Sequence, residues 1–448
     1  MIFKYHWAFR MLFSVLAMIT LCIIAVQFNE FSIFFSAIFF FTLGTALTIK
    51  NKDYRIFQIA FFWLLFFASI QALFFHAEYN QLFDRGGDDL SFYEKWILTG
   101  YNDFNFALNE RYAYKTFIVP ASAYLKFINV IGINSVFSFH INILNVFVGA
   151  FIPVFVFKTG KILFKSTTAQ LAAAFVIVYP FFNYQITKVM RDVYAYLFFT
   201  IGVYILFTNW KLLFKLLVIL LLLLLTMNAR TESVIYILLL FGLYYFIKTK
   251  SLLLKGSLMA IVFVAAYIIY QYLNATFSID LATITKYSEM YNELRTDNEG
   301  AGSIATLLKN GGIIGKLISI PYNWISPLPP PIIIQFNLMT LLISIGCFAW
   351  YFMLPRGVVK FYEMTQQKDN LLKYSELRAL YLTFIVGSVF ISYTSGDPRH
   401  ILVFFPIATL FCVGYFENRT FKFDLTLNYI SIIIAFISII GYLIIKNF

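Results

Sequence analysis

The sequence predicts an all-α, polytopic transmembrane bundle of about thirteen helices, built as a single integral membrane domain over residues 1–448. Three observations predict it. Hydrophobic residues make up 61% of the chain and charged residues only 12%, against roughly half and a quarter in water-soluble domains. Apolar runs of about 20 residues, the length a helix needs to cross a hydrocarbon core roughly 30 Å thick, recur from end to end. Lysine and arginine gather in alternate links between these runs, as the positive-inside rule requires of a multi-pass protein.

In chain order the spans are expected at 11–28, 31–49, 55–76, 135–157, 167–184, 192–208, 212–227, 233–247, 252–272, 333–354, 378–394, 400–416 and 425–445. The first follows Lys4 and Arg10, and no small-residue cleavage pattern precedes the next run, so it reads as an uncleaved signal anchor. With a cytoplasmic N-terminus, the cationic links are Lys50/Lys52/Arg55, Lys158/Lys161/Lys165, Lys211/Lys215, Lys248/Lys250/Lys255, Arg356 to Arg378, and Arg419/Lys422. Topology thus accounts for the net charge of +12 and leaves no basic amphipathic face for nucleic acid. Cys22, Cys347 and Cys412 each lie inside an apolar run, which argues against a disulfide framework or a cysteine-based metal site. They read as packing residues.

The opposite side receives the segment 77–134, the links 183–192 and 228–233, the segment 273–332, and the link 395–400. In 77–134, positions such as Leu90, Tyr93, Trp96 and Ile97 suit interfacial helices that roof a cavity. Segment 273–332 opens on Glu289, Glu293, Asp297 and Glu299, passes glycines at 300, 302, 311 and 312, and ends in Pro327, Pro329, Pro330 and Pro331. A connection of that length is functional or disordered. No internal repeat marks an inverted-repeat transporter.

Four constellations on that side carry chemistry. Asp84-Arg85-Gly86-Gly87-Asp88-Asp89, followed by Tyr93 and Glu94, pairs carboxylates that can divide the work of proton abstraction and acceptor orientation, or take a divalent cation. Its competing role is a solvated loop with Asp88 or Asp89 capping the next helix. Lys188, Arg191 and Asp192 open a long apolar run, where they either line a polar cavity or snorkel and cap. Asn228-Ala229-Arg230-Thr231-Glu232 separates two spans so tightly that Arg230 and Glu232 lie at the membrane boundary, as phosphate ligand and partner or as a mutual ion pair. Ser395-Gly396-Asp397-Pro398-Arg399-His400 heads another span, with cations at a helix start where an anion would offset the opposed dipole. His6, His76 and His140 read as interface or helix-packing residues.

Taken together, Gly87-Asp88-Asp89 with Tyr93, Met190-Arg191-Asp192 after Tyr179-Pro180, Arg230 with Glu232, and Pro398-Arg399-His400 before Pro406 resemble the GT-C superfamily of polytopic glycosyltransferases, including the family 39 type, which use polyprenyl-linked sugar donors. Many members place the acidic loop after the first span, whereas here about three precede it. Ser326-Pro327-Leu328-Pro329 and the late Arg-His pair also resemble membrane proteins of bacterial surface polysaccharide synthesis, some proposed to be Wzy-type repeat-unit polymerases.

The resemblance implies an inverting glycosyltransferase at the outer face of a bacterial cytoplasmic (inner) membrane, acting in O-antigen, capsule or exopolysaccharide synthesis. Its partners would be the bilayer, an undecaprenyl-(di)phosphate-linked sugar donor and a glycan or lipid-linked acceptor. It implies Asp88 or Asp89 as base and Asp192 as a second acidic residue. Arg191, Arg230 and Arg399, with His400 and Lys188, would hold the donor phosphate, and Tyr93, Glu94, Glu232 and Asp397 would position substrate. The carboxylate pair leaves Mg or Mn open without requiring it. A repeat-unit polymerase and a lipid-linked glycan flippase are the alternatives.

Overall fold

A computed structural model describes residues 6–447 except 52, 85–87, 110–113, 134–135, 254, 258–259, 261–263, 265–266, 268–270, 272–311, 328–329, 334–335, 367–373, 395–397 and 418–423. Every regular element among the described residues is helical. Seven of these helices are long and apolar enough to cross a membrane, eight if a bent pair counts as one span, and four shorter apolar helices accompany them. The protein is an all-helical, multi-pass membrane protein. Thirteen spans are not reached among the described residues: the expected spans 31–49, 192–208, 400–416 and 425–445 correspond to the four shorter apolar helices, and the expected span 252–272, like most of segment 273–332, lies largely outside the described residues. The chain divides into two compact units, Met1–Val234 and Ile235–Phe448.

The first unit runs through α1 (His6–Gln27), α2 (Ile33–Thr48), α3 (Tyr54–Tyr79), the short α4 (Asp88–Ser91), a π-helical turn (Phe92–Leu98), α5 (Thr99–Asn102), α6 (Phe104–Asn109), α7 (Lys115–Val130), α8 (Phe139–Leu163), α9 (Ser166–Val178), α10 (Pro180–Ile186), α11 (Asp192–Phe207) and α12 (Leu212–Ala229). Side-chain contacts sort the helix ends into two groups. At one end Asp53 pairs with Lys158 (3.2 Å), and Gln58 joins Arg10 (2.7 Å) to Thr45 (3.3 Å). Lys158 also lies over the Tyr204 ring, and the Lys215 ammonium donates to the Leu206 carbonyl (3.2 Å). The other end gathers His76, His140, Asn142, Lys188, Asp192 and Arg230. Basic loops and the polar constellations therefore occupy opposite ends of this unit.

Close packing holds α2 on α3. A Cβ on Gly44 would stand 1.9 Å from the tip of the Phe57 ring, and that ring is fully buried against Phe61, Phe147 and Phe151. His140 is a packing residue: its ring nitrogens meet Ser36 Oγ (2.6 Å) and Ser32 Oγ (3.1 Å), and Tyr124 donates to the same Ser36 hydroxyl (2.6 Å). Tyr124 belongs to α7, which also reaches the last turns of α12 through Thr116 and the Leu225 carbonyl (2.8 Å) and the first turn of α11 through Phe117 and Tyr194. α7 thus touches end turns of α2, α11 and α12.

Two expectations are corrected. The span 167–184 is not straight: α9 and α10 meet at 62°. Proline drives the preceding residue out of the helical region, and Tyr179 accordingly sits at φ −71°, ψ 109°. Cys22 is exposed on α1 rather than packed, while Cys347 and Cys412 are buried.

The second unit begins within α13 (Val234–Lys248) and continues with α14 (Gly312–Ile325), α15 (Leu338–Gln366), α16 (Tyr374–Thr394), α17 (Pro398–Ile401), α18 (Phe405–Gly414) and α19 (Leu425–Asn447). α14 docks on α16 through Asn323 to Ser392 (3.1 Å) and Trp324 to Ser388 (2.8 Å), and on α15 through Trp350 Nε1 to the Trp324 carbonyl (2.6 Å). α15 is longer than the expected span 333–354 and carries Arg356, placed by the sequence in a cationic link, as a buried helical residue. Its guanidinium stacks on Phe352 (3.7 Å) and donates to Asn428 and to the Phe352 carbonyl, so local acceptors replace water.

Candidate functional site

The acidic motif follows directly on α3. Asn80 terminates that helix in the left-handed region (φ 53°), with its N–H returned to the His76 carbonyl, a conformation asparagine tolerates better than most residues. The chain then turns, with Gln81 donating to the Phe83 and Asp84 carbonyls. Asp88 and Asp89 form the first turn of α4, where acidic groups suit the helix dipole. Their environments differ sharply: Asp88 is exposed, whereas Asp89 is 2% exposed and accepts the Asp84 backbone N–H (3.3 Å).

Asp84, the first residue of the acidic motif and one to which the sequence assigns no role of its own, is the centre of the first cluster. Its Oδ2 accepts from the Lys188 ammonium at 2.7 Å and from the Tyr184 hydroxyl at 2.6 Å, and Lys188 also lies 4.2 Å above the Tyr184 ring. Burial works against the Lys188 charge, but Tyr184, Asp84 and Asp89 outweigh it and hold the ammonium above its ordinary range. For Asp89 burial is the larger influence and raises its carboxyl above the usual carboxylate range, partly countered by the Lys188 charge and the Asp84 N–H.

The Lys188 loop is held from below by amides. Asn142 donates to the Thr187 carbonyl (2.7 Å), Asn145 to the Lys188 (2.5 Å) and Met190 (3.0 Å) carbonyls, and the Thr187 hydroxyl to Gln71 Oε1 (2.5 Å). The loop has no regular structure of its own, so the α8 amides Asn142 and Asn145 satisfy its buried carbonyls, while Gln71 of α3 accepts from its Thr187 hydroxyl. This scaffold of Gln71, Asn142 and Asn145 carried no distinctive sequence signal beyond polar residues inside apolar runs.

Three residues further on, the loop presents the second cluster. Arg191 stacks over Tyr114 (3.9 Å) and Phe92 (5.6 Å), and among the described residues its guanidinium has neither an acidic partner nor a hydrogen bond. Asp192 and Arg230, both buried, form an ion pair at 2.5 Å. Glu232, half exposed, stands 3.7 Å from the other side of the same guanidinium. Arg230 is thus neutralised by protein carboxylates, as Lys188 is by Asp84, and Asp192 is bound to Arg230.

The two clusters share one end of the first unit. Lys188 and Arg191 lie on one five-residue loop, and Asp89 leads within the same helical stretch to Phe92, on which Arg191 rests. Tyr93 and Glu94 follow Phe92 within that stretch. The Tyr93 hydroxyl donates to the Val136 carbonyl (2.6 Å), which anchors the stretch, and Glu94 is exposed.

Arg399 and His400 stand half-buried on α17 in the second unit, where α14 packs beside them, and Asp397 lies outside the described residues. Among the described residues, no group of three or more histidine, cysteine, aspartate or glutamate side chains is placed to hold a metal ion. Compared with protein-family models, characterised proteins and solved structures, the chain matches none.

Proposed function

We propose that the protein is a membrane glycosyltransferase of the GT-C kind, transferring a sugar or oligosaccharide from a polyprenyl-(di)phosphate donor to a glycan acceptor at the outer face of a bacterial cytoplasmic membrane. The observation that carries this reading is the pairing, at one end of one unit, of a buried carboxyl with raised proton affinity, Asp89, and a cation without an acidic partner among the described residues, Arg191. A general base works best when its proton affinity lies near the operating pH, and burial moves Asp89 in that direction. Asp88, beside it, is exposed.

In the proposed reaction Asp89 takes the proton of an acceptor hydroxyl, whose oxygen forms a bond to the anomeric carbon. The bond from that carbon to the donor phosphate breaks, and the electron pair leaves on phosphate. Arg191 stabilises that developing charge. The Lys188 charge and the Asp84 backbone N–H hold Asp89 in place, and the Asp192–Arg230 pair holds the helix start that presents Arg191. A single displacement inverts the anomeric configuration.

The charged residues on the membrane-crossing helices of the first unit stand at helix ends, which favours chemistry at a surface over carriage through the midplane. The test is glycan analysis of a deletion strain complemented with the wild type or with Asp89→Asn. Loss of a branch sugar supports a monosaccharide transferase, and chains cut to a single repeat support the polymerase variant. An intact glycan, or a product with retained configuration, overturns the mechanism.

A further inference from the structure

The first turn of α11 holds a group that the reaction above does not use. Tyr194 is 6% exposed, and its hydroxyl has no hydrogen-bond partner among the described residues. A buried hydroxyl without a partner has lost its water and gained nothing in exchange, so its retention calls for a ligand or a constraint.

Position favours a ligand. Tyr194 follows Arg191 by three residues on the same helical turn, its N–H bonded to the Arg191 carbonyl (3.1 Å), so both side chains leave the same side of the helix start. They also meet one aromatic wall. Arg191 lies on Phe92 and Tyr114, the Tyr194 ring packs on Phe117 (5.7 Å), and Phe117 packs on Phe92 (6.2 Å). The other cation of this cluster, Arg230, is already paired with Asp192.

We propose that Arg191 and Tyr194 form a phosphate-ester subsite, with the guanidinium supplying charge and the phenol a single hydrogen bond to a phosphate oxygen. This rests on the phosphate-leaving reading above and adds Tyr194 to it as a binding residue. Stacking on Tyr114 and Phe92 keeps the guanidinium plane fixed and leaves its N–H edge for phosphate, an arrangement that lysine cannot reproduce. The phenol is then unsatisfied only when the subsite is empty.

That asymmetry makes the test specific. Full-length protein in detergent is melted alone, with undecaprenyl phosphate, with undecaprenol lacking the phosphate, and with inorganic phosphate, for the wild type, Tyr194→Phe and Arg191→Ala. The expected result is protection of the wild type by undecaprenyl phosphate and not by undecaprenol. Tyr194→Phe should melt at a higher temperature than the wild type without ligand, because the orphaned hydroxyl is gone, yet bind the phosphate lipid about tenfold or more weakly. Arg191→Ala should abolish protection. Equal protection by inorganic phosphate supports the subsite and assigns it to free phosphate.

A Tyr194→Phe protein that binds undecaprenyl phosphate as the wild type does, or that melts lower than the wild type without ligand, overturns the proposal. Binding rather than transfer is measured, so the outcome separates from that of the transferase reading. Altered glycan in Asp89→Asn with unchanged binding in Tyr194→Phe removes the subsite alone. Lost binding in Tyr194→Phe with intact glycan in Asp89→Asn removes the chemistry alone.

Discussion

Arg230 and Asp192, contributed by the end of α12 and the start of α11, meet at 2.5 Å with side chains only 7% and 4% exposed. A pair this buried is costly to break because the survivor keeps its charge without water. Arg230→Ala is therefore expected to destabilise the protein by about 3–5 kcal/mol, whereas replacing both partners with apolar residues of similar size should cost much less. Thermal unfolding of the two single variants and the double variant checks this. A double variant as unstable as the worse single one would show that the pair does not act as a unit.

Asp88 and Asp89 adjoin in sequence but not in environment. Asp89→Asn should lower transfer by about 10²–10⁴-fold, the range of a lost general base, with membrane insertion unchanged. Asp88→Asn, on the exposed side of α4, should retain most activity. The reverse ranking in a transfer assay would move the base to Asp88.

Burial raises the proton affinity of Asp89, and Lys188 counters it in part. Its positive charge draws the Asp89 carboxyl down, against a larger upward effect of burial, and also pairs with Asp84, whose negative charge pushes Asp89 up. Removing Lys188 withdraws the first influence and leaves the second. Since a base acts only when deprotonated, activity rises with pH through the Asp89 titration. The acidic limb of the pH–activity profile of Lys188→Met should then move to higher pH, and a shift to lower pH would contradict the assignment.

Asn145 spans two carbonyls of the loop that carries both clusters. Asn145→Leu leaves the Lys188 and Met190 carbonyls buried without that donor, a cost of about 1–3 kcal/mol for each unsatisfied group. The expected phenotype is a lower unfolding temperature together with weaker phosphate-lipid binding, measured on the same preparation.

Gly44 offers a test remote from the site. The Phe57 ring occupies the space of a missing Cβ and is itself enclosed by Phe61, Phe147 and Phe151. Gly44→Val should force α2 and α3 apart at a cost of about 1–3 kcal/mol, while Gly44→Ala should cost less. Unchanged melting in Gly44→Val would mean that the helices separate freely.

The broad architecture was legible in the sequence because the bilayer imposes a coarse rule: long apolar runs must be helical, since lipid offers no partners to the backbone. Spans such as 55–76 and 212–227 accordingly became α3 and α12 with boundaries shifted by only a few residues. The grouping of Asp89, Lys188, Arg191, Asp192 and Arg230 at one end of a unit followed from the same alternation of apolar runs and charged links. What only the tertiary structure decided is which of these charges are spent. Asp84 and Tyr184 take Lys188, Asp192 takes Arg230, Asp89 is buried while Asp88 is not, and Arg191 rests on rings 77 and 99 residues away. Depth in a membrane depends on hydrophobicity along the chain and is local information. Partnership depends on which distant turns pack together within a few ångströms, and no local pattern encodes that.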